Sequence, residues 1–286
     1  MAFRNLKEIV DAEEAGASRL FSFRKSPSQA STAGVWFDLS MSPGNPVPNY
    51  YAASPLVSVA MRQSTDVGLF HGSNVSPAKK ALTRFTIMSN SATGLPMPII
   101  LCDYLVYYPF IDEGTTDEQF VTNSVSLPRY SNGNGVQIMA VSVAPRTSGQ
   151  QFIVNYTNSN GVSGRVTEAV FQNSAASNGS VISSTVSNTI SAIPFLPLQR
   201  GDSGVRSIES VTMLGSDVGL FTLVLVKPLL QTMLLEQTAP VEVNTLTDKG
   251  LLMPEIQDDA YLNLICLPNG SLSGVTLVGD LKYVWN

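Results

Sequence analysis

Asp66-Val67-Gly68-Leu69-Phe70 is repeated without change as Asp217-Val218-Gly219-Leu220-Phe221. A glycine set among Val, Leu and Phe suits a strand entered through a turn or bulge, where glycine supplies the bend and the apolar residues supply the core. A second match follows in the same order. Leu95-Pro96-Met97-Pro98 and Tyr104-Leu105 correspond to Leu252-Met253-Pro254 and Tyr261-Leu262, in a register offset by a short loop insertion. Two readings account for this: a duplicated β unit spanning most of the chain, or two similar strand-turn-strand words that arose separately. Either one points to a succession of short strands.

Composition agrees. Charged residues make up 14% of the 286 and hydrophobic ones 44%, enough apolar material for a large core wrapped in Ser, Thr, Asn, Gly and Pro. The net charge of −5, with no stretch of concentrated Lys and Arg, argues against direct binding of nucleic acid. The longest apolar runs, at 99–106 and 221–226, fall well short of the roughly 20 residues a spanning helix needs. The start, Met1-Ala2-Phe3-Arg4, lacks the pattern of a secretory leader, so the Asn-x-Ser/Thr words at Asn74, Asn155, Asn178 and Asn269 read as composition and not as glycan acceptors. Cys102 and Cys266 sit in apolar runs and read as buried free thiols in preference to a disulfide.

In chain order, residues 5–20 predict a short amphipathic helix with Leu6, Ile9, Val10 and Ala17 on one face and Gly16 near its end. Residues 21–51 carry Phe21, Phe23, Trp36, Phe37, Tyr50 and Tyr51 among four prolines, which predicts an extended arm. Such an arm either lies along its own domain or reaches another subunit, and those six aromatics are the candidate interface. Strands are expected at 56–61, 83–88 and 99–108, the last buried on both faces. The acidic connection 112–118 is expected to be a solvated loop, and Lys79-Lys80 a solvated hairpin end. Asn132-Gly133-Asn134-Gly135 marks a turn and the expected domain boundary. Further strands are expected at 136–143, 151–157, 164–171, 195–198, 205–214, 220–226, 260–267 and 275–285, with a long excursion at 173–191 and a hairpin-type turn at Asn269-Gly270. The expected organisation is therefore a helix and arm (1–52), a first β body (53–133) and a second (134–286), built as mostly β antiparallel sandwiches of jelly-roll or immunoglobulin-like type.

The motif that most resembles catalysis is Gly201-Asp202-Ser203-Gly204, the word around the nucleophile of chymotrypsin-like proteases, with His71 and Asp103 upstream in the order of that triad. The surroundings of His71 do not match that family, and the copy of the repeat word is followed by Thr222 instead, so the four-residue word reads as a turn. Arg200-Gly201-Asp202 also spells the integrin tripeptide, a short word that needs an exposed loop tip. No phosphate-binding loop, zinc spacing or calcium loop occurs around Asp258-Asp259 or elsewhere, so no metal, cofactor or enzymatic activity is expected.

The N-terminal helix and arm, the run 95–103 and the segment 199–209 leading into the second repeat word together resemble structural proteins of tailed-bacteriophage virions. The resemblance is diffuse, covers most of the chain and rests on no signature motif. It implies a non-enzymatic role in the virion. The leading expectation is an auxiliary decoration or cement protein on the capsid, its partners being other copies of itself, as a trimer, and the major capsid protein. A neck, tail or fibre-base component is the alternative. A host-surface glycan-binding module, reading sugars with Tyr130, Tyr156 or Tyr261, is a third expectation of a different class.

Overall fold

The computed structural model describes residues 3–172, 177–182, 193–249 and 253–286. Helix α1 (Leu6–Glu14) is followed by β1 (Ser18–Lys25), β2 (Phe37–Asp38), a turn of 3-10 helix (Leu39–Met41), β3 (Gly44–Asn45), β4 (Val59–Ala60) and α2 (Gln63–Asp66). Then come β5 (Lys80–Ser89), β6 (Met97–Asp112), β7 (Gln119–Phe120), β8 (Gln137–Ala144), β9 (Gln151–Asn158), β10 (Arg165–Val166), β11 (Val170–Phe171) and β12 (Val181–Ile182). The last elements are β13 (Val205–Met213), β14 (Leu220–Leu234), β15 (Val241–Asn244), α3 (Thr245–Lys249), β16 (Glu255–Ile256), β17 (Tyr261–Cys266) and β18 (Leu277–Trp285).

These strands make three antiparallel sheets. The central one runs β12-β8-β14-β6-β17-β2, with β4 also on β6. A six-stranded sheet runs β15-β5-β18-β1-β3, with β16 on β5, and a five-stranded sheet runs β10-β9-β13-β7, with β11 on β9. Strands β6 and β14 pair from Asp112 opposite Leu220 to Met97 opposite Leu234, so their ladder extends the full length of the central sheet. Side chains alternate along β6. Met97, Ile99 and Leu101 pack with Phe23, Phe85, Ile87 and Leu281 of the six-stranded sheet. Further along, Leu105, Val106 and Ile111 pack with Phe152, Val154, Ile208 and Val211 of the five-stranded sheet. The molecule is thus two sandwiches sharing one sheet. The opposite face, carrying Ile100, Cys102, Tyr104, Tyr107, Val224 and Tyr261, is covered by Trp36, Met41, Tyr51 and Met61. Each large apolar side chain taken from water in these cores contributes roughly 1.5–3 kcal/mol.

The mostly-β, antiparallel sandwich architecture and the short N-terminal helix match the sequence reading, but the local detail departs from it in several places. The helix stops at Glu14, with Gly16 in the left-handed conformation (φ 75°), and residues from Ser18 onward form β1. Its buried side chains are Ile9 and Ala12, while Leu6 and Val10 are exposed. The expected segments 53–133 and 134–286 do not form separate sheets: β5 and β18, or β6 and β14, are neighbours in the same sheet. No strand forms at 195–198, and of 56–61 only Val59–Ala60 forms a strand, Val57 making an isolated parallel bridge to Thr122. Asn269-Gly270 is not a hairpin tip, because β17 and β18 belong to different sheets and the segment between them crosses from one to the other. Of the excursion at 173–191, Val181–Ile182 pairs with β8; Val186 and Ile190, like Leu252 of the second match, lie outside the described residues.

The repeat word is used in two different ways. Val67 ends α2 in the left-handed conformation and Leu69 is buried in a loop, whereas Leu220 and Phe221 open β14. Both glycines are required, for different reasons. A Cβ on Gly68 would stand 2.8 Å from the carbonyl oxygen of Leu262, while Gly219 has φ 124° and would meet the oxygen of Pro145 at 3.0 Å. Val67 and Val218, expected in the core, are 53% and 58% exposed.

Candidate functional site

The arm turns inward. Phe23, Trp36, Phe37 and Tyr51 are buried in the chain's own cores, Phe21 is half-buried edge-on to Phe70, and Tyr50 remains exposed. Of the two readings of the arm, the described residues follow the one in which it lies along its own domain, because the second face of the central sheet needs an apolar cover and the arm supplies it; of the six candidate-interface aromatics only Tyr50 is left exposed. A polar bolt fixes the arm there. Asp38 Oδ2 accepts from Tyr51 Oη at 2.5 Å and from Ser40 Oγ at 2.6 Å, and Oδ1 accepts from Tyr104 Oη at 2.7 Å and from Ser40 N at 2.9 Å. Burial pushes the Asp38 carboxyl up while those donors pull it down. Nearby Lys25, also buried, donates to the carbonyls of Ser42 and Pro46 at 3.2 and 2.9 Å, and burial brings its pKa down to about 8.

The three residues of the protease-like order bond elsewhere. His71 is buried; its Nδ1 accepts from Lys80 Nζ at 2.9 Å and its Nε2 donates to the carbonyl of Ala260 at 3.0 Å. Asp103 is gripped by Arg129 through Nε to Oδ2 at 2.8 Å and Nη2 to Oδ1 at 2.7 Å. Ser203 Oγ is 3.0 Å from Ser159 Oγ. Neither ring nitrogen of His71 is bonded to Asp103 or Ser203. Burial, with the charge of Lys80 beside it, drives the His71 pKa down to about 3. Asp202 of the adhesive tripeptide accepts from Tyr156 Oη at 2.7 Å, Arg165 Nε at 2.9 Å and Asn158 Nδ2 at 2.7 Å, so its carboxylate is held inward against β9 and β10.

Asp112, Gly114, Thr116, Asp117 and Glu118 are exposed, as expected of a solvated loop, but two charged groups depart from the expected solvation. Lys80 is 1% exposed and Glu113 is fully buried, the latter paired with Arg146 through Nη2 to Oε1 at 2.8 Å. Asp217 of the second repeat word closes the same corner. Its carboxylate takes the backbone N–H groups of Ser148 and Val218 and the hydroxyl of Thr147, and these bonds hold its pKa down at about 2, against a burial contribution in the other direction. Nothing in the local sequence marks Glu113 for burial; its partner lies in a loop 33 residues away. Among the glycan-reading candidates, Tyr156 and Tyr261 are buried and Tyr130 is half-buried under Lys227, which leaves no open aromatic platform among the three.

At the Asp112 end of the long ladder the surface turns apolar. A bulge in β6 between the pairs Tyr108–Leu223 and Ile111–Phe221 puts Phe110 at φ 59°. Leu56, also at φ 59°, donates its N–H to the carbonyl of Pro109 at 2.9 Å. A large side chain held left-handed costs of order 1–3 kcal/mol and persists only where its surroundings fix it. With Leu220 and Gln119 these two line an open groove of about 640 Å³. Phe120, next in sequence to the groove residue Gln119, and Val218, two before the groove residue Leu220, are 69% and 58% exposed. Among the described residues no group of three or more His, Cys, Asp or Glu has the arrangement of a metal site.

No protein-family model matches the chain, and neither does any curated protein. Among solved structures it aligns with a chain of "Structure of infectious bursal disease virus Gx strain" at 10% identity, covering 94% of this chain and 81% of that one, with a TM-score of 0.14. A likeness of that degree supports no inference about fold or function.

Proposed function

We propose that the chain is a non-enzymatic structural component of a virus particle, an auxiliary protein that decorates or cements a capsid shell as an oligomer, with trimers as the working unit. Its partners in this reading are other copies of itself and the major shell protein, and it binds no nucleic acid or membrane. The reading extends the resemblance of the arm and of 95–103 and 199–209 to tailed-phage virion proteins. The observation that supports it is the contrast between the two kinds of surface. The polar words that resemble active sites are bonded internally, while Phe120, Val218 and the groove of Leu56, Phe110 and Leu220 leave apolar area on the outside. Large apolar side chains left outside in this number mark candidate contact sites, and an interface of standard size buries on the order of 1,600 Å². Repetition around a shell multiplies a modest contact by avidity. A neck, tail or fibre-base position would use the same surface.

Sedimentation tests the proposal directly. The purified chain is expected to form a concentration-dependent oligomer and to pellet with assembled shells, and Phe120→Ser to weaken both without unfolding the protein. A chain that stays monomeric and does not co-sediment with shells overturns it.

A further inference from the structure

The word Asn-Gly occurs five times in the chain, at 132–133, 134–135, 160–161, 178–179 and 269–270. Glycine carries no side chain to obstruct the main-chain nitrogen that follows the asparagine, and it lets the backbone turn there. That nitrogen can attack the carboxamide carbon of the asparagine before it. Each word is therefore a place where an asparagine can convert itself, provided that the nitrogen and the carboxamide are both available. The fold decides that availability.

In four of the words the glycine N–H is already committed. Gly133 donates to the carbonyl of Tyr130 at 2.7 Å, and Gly135, Gly161 and Gly179 donate to the carbonyls of Ser203, Asn158 and Ser142, each at 2.9 Å. Asn132 also has its carboxamide oxygen tied, accepting the N–H of Asn134 at 3.0 Å. Gly270 differs, for its N–H has no acceptor among the described residues. Asn269 is exposed, and its carboxamide makes one contact, Nδ2 to the carbonyl of Leu95 at a marginal 3.5 Å. Neither reacting group has a strong hydrogen bond to give up. The main chain around them is anchored: Asn269 donates its N–H to the carbonyl of Gly94 at 2.9 Å, and the Gly270 carbonyl accepts from Ser31 Oγ at 3.0 Å.

We propose that Asn269 is a self-modification site, the first of the Asn-Gly words in the folded chain to convert to aspartyl and isoaspartyl forms through a cyclic imide with Gly270. Hydroxide takes the Gly270 N–H proton, and the nitrogen pair attacks Cγ of Asn269 while the C=O π pair moves to oxygen. That pair returns, the Cγ–Nδ2 bond breaks, and the departing nitrogen takes a proton from water and leaves as ammonia, which regenerates hydroxide and closes the imide ring. Water then adds to either ring carbonyl, and the bond from that carbon to the Gly270 nitrogen opens. Asparagine and water become aspartate or isoaspartate and ammonia, with no net oxidation or reduction. The isoaspartyl product lengthens the main chain between the anchors on Gly94 and Ser31. The segment that crosses from β17 to β18 is therefore where the fold changes first with age.

The test incubates the full-length, unsubstituted chain at mildly alkaline pH, with circular dichroism confirming that it stays folded. Conversion at each of the five asparagines is followed over time by peptide mass spectrometry with fragmentation, which reads the change from amide to acid and separates Asn132 from Asn134. Asn269 is expected to convert about five-fold faster than any of the other four, the factor by which a backbone hydrogen bond of ordinary net strength holds their glycine nitrogens closed. A parallel incubation in urea removes those bonds, and there the five rates should draw together. An Asn269 rate no greater than the others in the folded chain overturns the proposal. So does a lead for Asn269 that persists unchanged in urea, since the fold would then not be its cause.

Discussion

Arg129 holds Asp103 at the seam between the two sandwiches. Asp103 lies in β6 between Leu101, which belongs to one core, and Leu105, which belongs to the other. The same guanidinium donates to the carbonyls of Met61, Tyr104 and Asp259 at 3.1, 2.9 and 3.0 Å, so one side chain ties the arm's exit, the central strand and the approach to β17. Removing one member of a buried pair strands the other's charge. Asp103→Asn is expected to cost about 3–5 kcal/mol in urea unfolding, and the double variant Asp103→Leu/Arg129→Met to recover a substantial part of that loss.

Acid should weaken the protein before its carboxylates titrate. His71 has a folded pKa of about 3 against 6.5 unfolded. Between these values the unfolded chain binds a proton that the folded chain refuses, so stability falls as pH falls. The loss from pH 6.5 to pH 4 is on the order of 3 kcal/mol, and His71→Gln should flatten that part of the stability profile. An unchanged slope in the variant would disprove the assignment.

On the alkaline side the sign reverses the usual expectation. Lys25 and Lys80 each have a folded pKa of about 8, below their unfolded value of 10.5. Above pH 8 the unfolded chain carries more protons, so stability contributed by these groups grows as pH rises towards 10.5. Thermal unfolding between pH 8 and 9.5 should show a rising Tm, and Lys25→Met with Lys80→Met should remove the rise.

Two glycines under unequal constraint give a paired test. Gly219→Ala forces a Cβ into a φ of 124° and against Pro145 and Glu113, and is expected to cost about 2–4 kcal/mol. Gly16→Ala meets nothing within 4 Å and has only its φ of 75° to pay for, about 1 kcal/mol. Chemical denaturation of the two variants side by side measures the difference.

Tyr50 and Tyr51 are adjacent in sequence and opposite in role. Tyr51→Phe removes two buried hydrogen bonds, one of them to a carboxylate, and is expected to lower stability by roughly 2 kcal/mol. Tyr50→Ser should stay within about 0.5 kcal/mol, because its side chain is on the surface.

Strand content was legible wherever apolar residues ran on. The run 99–108 became the middle of β6, 220–226 the start of β14, and 151–157 nearly all of β9. Periodicity reports local burial, and these segments are buried in their own neighbourhood. What could not be read was pairing across distance. Lys80 and Glu113 look like surface residues beside their immediate neighbours in sequence, and become buried because the loop carrying His71 folds back onto one and Arg146, 33 residues on, closes over the other. The arm stayed open between two readings for a related reason: prolines and aromatics announce an extended segment, but whether it covers its own sheet or a neighbour's depends on the uncovered face of the central sheet, a property of the whole fold. The repeat word was a true signal of glycine requirement and a false one of equivalent strands, since Gly68 needs room and Gly219 needs a positive φ.

Strand β18 lies inside its sheet, hydrogen-bonded to β5 on one side and to β1 on the other. During synthesis, therefore, residues 18–25 and 80–89 emerge early and wait, their edges open, until residues 277–285 arrive to join them. Closing such distant pairings makes folding slow and leaves strand edges free to recruit the wrong partner. The waiting interval, more than the finished fold, is where this chain is most open to mispairing.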